Sequence, residues 1–147
     1  MKREKPKRGS VVPDNSCPSC GTLMKPSKKA LGFPVNGEEL KVPGVQHLRC
    51  PSCGEALIGL EAARKIRVRA IEAYRKKFAL LSAREILELR EALGLTQKAM
   101  AQILRLGETT ISRWESGQKV QTAALDALLR LVRDVPGNLD YLKQRAA

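Results

Sequence analysis

The spacing of apolar residues changes twice along the chain. Phe33-Pro34-Val35-Asn36-Gly37-Glu38-Glu39-Leu40-Lys41-Val42 reads as two short extended arms around Asn36-Gly37. That dipeptide is the preferred centre of a tight type I′ turn, so the segment predicts a β-hairpin. Pro43-Gly44 then turns the chain into a short strand, Val45 to Arg49, and from about Leu57 to Phe78 the pattern becomes helical. Ile66, Ala70, Ile71, Tyr74 and Phe78 recur at three- and four-residue steps, with Arg64, Arg67, Arg75 and Lys76 assigned to the opposite face. This amphipathic stretch is compatible with a continuous helix and with a partly ordered linker.

Beyond residue 81 the pattern is helical throughout. Ser82-Ala83-Arg84-Glu85 is a capping box, which starts a helix running through Leu93 with Ile86, Leu89 and Leu93 inward. Gly94 supplies the left-handed stop. Thr96 caps a second helix, with Ala99, Met100, Ile103 and Leu104 inward. Gly107 precedes a third helix ending near Ser116-Gly117, and a fourth runs from about Thr122 to Arg133 on Leu125, Leu128, Leu129 and Val132. Pro136-Gly137 breaks it, and Asn138 is placed as the cap of a last short helix.

Four cysteines add chemistry to the first third. Cys17-Pro18-Ser19-Cys20-Gly21 and Cys50-Pro51-Ser52-Cys53-Gly54 are matching knuckles, with 29 residues between Cys20 and Cys50, and no cysteine follows. A Cys-x-x-Cys turn presents two thiolates on one side of a tight loop, and two such turns make a tetrahedral Zn²⁺ site. Gly21 and Gly54 relieve backbone crowding after each second ligand. A segment this short buries too little apolar surface to be stable unaided, so one structural Zn²⁺ per chain, held by Cys17, Cys20, Cys50 and Cys53, is the expected staple. The alternative is a pair of redox motifs, but such a motif usually opens a helix within a βαβ unit, and neither knuckle does. His47 precedes Cys50 by three residues and, with four thiols at hand, reads as a polar strand residue. A closed Cys₄ site leaves no position for zinc catalysis. With one histidine and no recognisable acid–base constellation, the chain does not read as an enzyme.

The fold class that follows is α+β: a small, zinc-binding, β-rich N-terminal domain, then an all-α five-helix helix-turn-helix domain. The divisions are a disordered basic tail over residues 1–16, the zinc domain over 17–58, a basic helical connector over 59–80, and a DNA-binding and dimerisation domain over 81–147. The net charge of +12 is uneven. Residues 59–80 carry seven basic and two acidic side chains, +5 of the total, a stripe suited to phosphate backbones. A merely solvated helix face is the plainer reading of that charge. No apolar stretch approaches the ~20 residues needed to span a bilayer, and no hydrophobic signal core follows the basic N-terminus. The expectation is a cytoplasmic protein without a membrane partner.

In a helix-turn-helix the third of these helices lies in the major groove. Ile111 and Trp114 fall on its inner face. Glu108, Thr109, Ser112 and Arg113 fall on the outward arc and, with Thr110, form the DNA-binding set. Arg113 is the strongest base reader, because its guanidinium spans O6 and N7 of guanine. Thr109 suits a thymine methyl or a phosphate; Glu108 suits cytosine N4 or excludes phosphate. Gln97, opening the second helix, suits a phosphate and sets register. The competing reading is a helical domain that binds protein.

Leu95-Thr96-Gln97-Lys98-Ala99-Met100-Ala101, followed by Thr110-Ile111-Ser112-Arg113-Trp114-Glu115-Ser116-Gly117, resembles the phage repressor and Cro class. With the knuckles ahead of it, residues 17–147 resemble the MqsA, or YgiT-type, antitoxin family. The resemblance implies a zinc domain that grips a small toxin, often an mRNA interferase. It also implies a C-terminal domain that dimerises and represses its own operon at a palindrome on double-stranded DNA. By position, Thr109 and Arg113 match the family's base-reading places, with Thr109 standing where an Asn reads bases in the best-known member. Arg105 occupies a turn position where such proteins often have Gly, and the basic extension before Cys17 lies outside the pattern. A stand-alone zinc-finger regulator without a toxin is the alternative function.

Overall fold

The structure, a computed structural model, describes residues 15–147. The expected basic tail therefore lies, up to residue 14, outside the described residues. In chain order the elements are β1 (Lys25–Ser27), β2 (Leu31–Val35), β3 (Glu38–Val42), β4 (His47–Arg49), β5 (Ala56–Leu57), α1 (Leu60–Lys77), α2 (Ala83–Ala92), α3 (Gln97–Ile103), α4 (Glu108–Glu115), α5 (Ala123–Asp134) and α6 (Asn138–Ala146). A β-rich N-terminal part is followed by helices, so the chain is α+β.

The strands form two small antiparallel sheets. One has the order β1-β4-β5, with Lys25 opposite Arg49 and Leu48 opposite Leu57. The other is the β2–β3 hairpin, with Leu31 opposite Val42. Its turn residues Asn36 and Gly37 have φ of 49° and 86°, and two positive values are what a type I′ turn demands. One face of the hairpin carries Leu31, Val35, Leu40 and Val42, and this face packs on Ile66, Ala70 and Ile71 of α1. The periodic segment after residue 57 is thus a continuous 18-residue helix. Phe78, placed inward by periodicity, is its half-exposed C-cap and stacks on Tyr74 with ring centroids 4.5 Å apart.

The helical part has its own core. Leu81, Ile86, Leu89, Met100, Ala101, Ile111, Trp114 and Leu129 are all buried in one cluster. Burying each large apolar side chain contributes about 1.5–3 kcal/mol. The capping box is present: Ser82 accepts from the Glu85 amide, and Glu85 accepts from the Ser82 amide. Thr96 and Thr122 accept from Ala99 and Leu125, and Gly94 has φ of 66°. Two inward assignments shift. Ala101 rather than Ala99 is fully buried, and Asp126 joins Leu129 and Val132 on the buried side of α5 while Leu125 and Leu128 are half-buried. The last helix is capped by Gly137, at φ of 88°, and Asn138 is its first residue. The Asn138 amide instead donates to the Leu131 carbonyl, tying α6 back to α5.

Arg75 departs most from the sequence reading, which set it beside Arg64, Arg67 and Lys76 on a solvated face. It is 1% exposed. Its guanidinium donates to Gln121 Oε1 (3.0 Å), the Trp114 carbonyl (3.0 Å), the Lys119 carbonyl (3.1 Å) and Glu72 Oε1 (2.6 Å). Gln121 in turn donates to the Leu81 carbonyl and to Asp126, which also accepts from the Leu81 amide. A buried guanidinium is tolerable only when it is well partnered, and each of its three nitrogens has a partner here. Glu72 lies on α1 itself, but Trp114, Lys119 and Gln121 come from the end of α4 and the segment leading into α5, so Arg75 fastens α1 to the helix-turn-helix. Val120 completes the hairpin–α1 core from the other side of the same junction.

Candidate functional site

The two knuckles are built alike. In the first, the Cys17 amide donates to the Thr22 carbonyl and the Gly21 amide to the Cys17 carbonyl, both at 2.9 Å. In the second, Cys50 donates to Glu55 (2.8 Å) and Gly54 to Cys50 (3.1 Å). Gly21 and Gly54 close the turns at φ of 74° and 78°, where a Cβ would be strained. The β1-β4-β5 sheet holds the knuckles face to face.

All four sulfurs lie within 4.8 Å of one another, with Cys17–Cys53 at 3.6 Å and Cys20–Cys50 at 3.4 Å. Four sulfurs at tetrahedral Zn–S bond lengths would be about 3.8 Å apart. Cys17 and Cys50 are buried; Cys20 and Cys53 face outward. Hydrogen bonds with the Thr22 hydroxyl and backbone, then with Cys50, lower the Cys20 thiol to about 6. At Cys53 the Glu55 amide pulls the thiol down, but hydrogen bonding to Cys50 and Cys17 outweighs it and raises the group to about 12. One thiol easily ionised beside one that resists is what crowding four potential anions produces. A divalent cation removes the conflict, because a coordinating thiol is deprotonated outright. The donor set therefore fits a metal ion held by Cys17, Cys20, Cys50 and Cys53. His47 is outside this set: it is buried in β4, and its Nδ1 donates to the Val45 carbonyl at 2.8 Å.

The helix-turn-helix places α4 on α3 with Ile111 and Trp114 fully inward, at 0% and 1% exposure. Glu108, Thr109, Ser112 and Arg113 lie exposed along the other side, and Thr110 is half-buried between the two faces. Among the described residues the Arg113 guanidinium makes no hydrogen bond or ion pair, so all its donors are available. Glu108 lies 3.9 Å from Lys98, both well exposed, a pairing that contributes little. Arg105 adopts φ of 55°, the left-handed conformation a Gly would take there, and donates to the Arg145 carbonyl.

Gln97, expected at a phosphate, has one amide proton already engaged. Its amide donates to Glu115 Oε2 at 2.7 Å. Glu115 also accepts from Arg90 at 2.5 and 3.1 Å, and Arg90 reaches the Leu95 carbonyl. The side chains of Arg90 and Glu115 are 13% and 6% exposed. This network, not read from the sequence, joins the end of α2, the start of α3 and the end of α4. It fixes α4 against α3 and leaves one Gln97 amide proton for another partner. Its sequence trace is Glu115 itself, an acid following a core tryptophan where the helix turns inward.

A family model described as the antitoxin component of a bacterial toxin–antitoxin system, MqsA, matches residues 15–143. That span contains both knuckles and nearly all of α1 to α6. No curated protein matches the chain. The chain belongs to the MqsA antitoxin family, and that membership implies a toxin partner.

Proposed function

We propose, on the premise of that membership, that the chain neutralises a small toxin through its cysteine-bearing module and represses its own operon through α4. The observation that carries this is one family match spanning both a four-thiol cluster and a helix-turn-helix. In this reading the cluster holds one structural Zn²⁺, since soft thiolates in a tetrahedral set select it, and its role is to fold the module. Near it Leu23, Leu57, Ile58 and Leu60 are exposed, and apolar side chains of this kind suit a protein partner.

In the same reading Arg113 and Thr109, with Ser112, Thr110 and Glu108 beside them, face base edges, and Gln97 meets a phosphate with the geometry Glu115 gives it. Reading a palindrome takes two α4 helices about 34 Å apart, which a twofold homodimer supplies. Leu131 on the exposed side of α5 and Val135 at its C-cap, with Tyr141 of α6, are candidates for that contact. A dimer places the two toxin-binding modules on one operator. The stand-alone regulator shares the DNA chemistry but needs no toxin.

Co-expression with the small protein encoded beside this gene separates the two. The full chain should restore growth that the small protein alone arrests, and should copurify with it. A neighbouring product that neither arrests growth nor binds the zinc-loaded chain leaves the stand-alone regulator.

A further inference from the structure

We infer that α1 carries a second DNA contact, a phosphate-binding groove formed by Arg64 and Arg67 with Gln118 and Lys119, flanking the half-site that α4 reads. The inference rests on the proposed DNA reading by α4. The turn that ends α4 is seated directly on α1: a Cβ at Gly117, which has φ of 70°, would lie 3.1 Å from Val68 Cγ1. The Gln118 and Lys119 amides bond back to the Arg113 carbonyl at 2.9 and 3.1 Å, so this turn is continuous with the reading helix. Arg64, Arg67 and Val68 line one groove with Gln118. Arg67 and Gln118 also line the adjoining groove with Lys119 and Asn36 at the hairpin tip.

Neither groove is lined by a carboxylate. Arg64 meets Glu61 at 3.3 Å, but with side chains 68% and 79% exposed, that pair yields readily to a stronger anion. Among the described residues Arg67 has no ion pair. The guanidinium fork binds phosphate oxygens two at a time. A groove of donors running off the C-terminal end of a reading helix meets the sugar–phosphate backbone beside the base pairs that helix reads. Arg75, buried under the same turn, holds α1 in this position and makes no contact with DNA itself. Lys76, beyond Arg75, is not part of the groove.

The test compares the full-length, metal-loaded parent with Arg64→Gln/Arg67→Gln and with Lys28→Gln/Lys29→Gln. The last removes equal charge at the opposite end of the hairpin from its tip. Binding to the gene's upstream region is measured from about 50 to 200 mM salt, on a long duplex and on one trimmed to the half-sites. Removing two phosphate contacts should lower the slope of log affinity against log salt by about 2 per half-site. Sequence preference should be kept. Trimming the duplex should lower the parent's slope and leave that of Arg64→Gln/Arg67→Gln unchanged. Equal slopes for the parent and Arg64→Gln/Arg67→Gln, or an equal loss in the Lys28/Lys29 control, overturn the groove while leaving the α4 reading intact. A loss confined to toxin binding also overturns it, and assigns the groove to an acidic protein surface. A parent that shows no preference for the upstream region overturns the α4 reading, and the groove with it.

Discussion

Arg64 and Arg67 are exposed on the same helix that buries Arg75, and their neighbours decide the difference. Arg75 follows Ile71 by four residues and so continues the buried row of α1; only its charge suggested the solvated face. No local pattern could show that Gln121, Trp114 and Lys119, about 40 residues away in sequence, would satisfy its donors. Replacing Arg75 with Met should cost about 3–5 kcal/mol, because Gln121 and two carbonyls lose their donor in a buried site. Arg67→Gln should change stability by no more than about 0.5 kcal/mol, as exposed substitutions do. Chemical denaturation of the two variants measures the contrast, and equal losses would refute the separation. Gln97 teaches the same lesson: its position was legible, its partner Glu115 was not.

Helix ends and the hairpin were legible because their signals are local. Ser82, Thr96 and Thr122 cap the helices they precede, and Asn36-Gly37 makes the turn that its backbone preference demands. Asn138 was misplaced because Gly137, in the left-handed conformation, ends the break one residue earlier. The knuckles were legible because their spacing encodes the ligand geometry. What the spacing could not show is that the small sheets have different supports. The β1-β4-β5 sheet rests on a small core of Cys17, Met24 and Cys50, with Leu48 against it. The β2–β3 hairpin rests on α1 and Val120. Metal removal should therefore act unevenly. Cys50→Ser, or chelation of the parent, should abolish amide protection in residues 17–27 and 47–57. The hairpin, α1 and the helices beyond should stay cooperative. Amide hydrogen exchange with metal analysis checks this. Protein that is metal-free and protected throughout would remove the structural role of the cluster.

At the scale of the molecule, the hairpin–α1 part and the helix-turn-helix are joined by a buried polar junction rather than a spacer. The direction and contacts of α1 were invisible in sequence because they depend on tertiary partners on both sides of the helix. Among the described residues no helix is long and apolar enough to cross a membrane. The outward face of α4 is legible by contrast, since burying Ile111 and Trp114 leaves Thr109, Ser112 and Arg113 outward on any helix of that register. In the proposed DNA reading Arg113 carries the most. Binding of the parent and Arg113→Ala should be measured on the gene's own upstream region, with each base pair of the half-site substituted in turn. Arg113→Ala should lose ~1–3 kcal/mol per half-site and its preference at one base pair, as expected when a bidentate guanine contact is removed. Parent-like affinity with undiminished selectivity at every position would contradict the assignment of α4 as the reading helix.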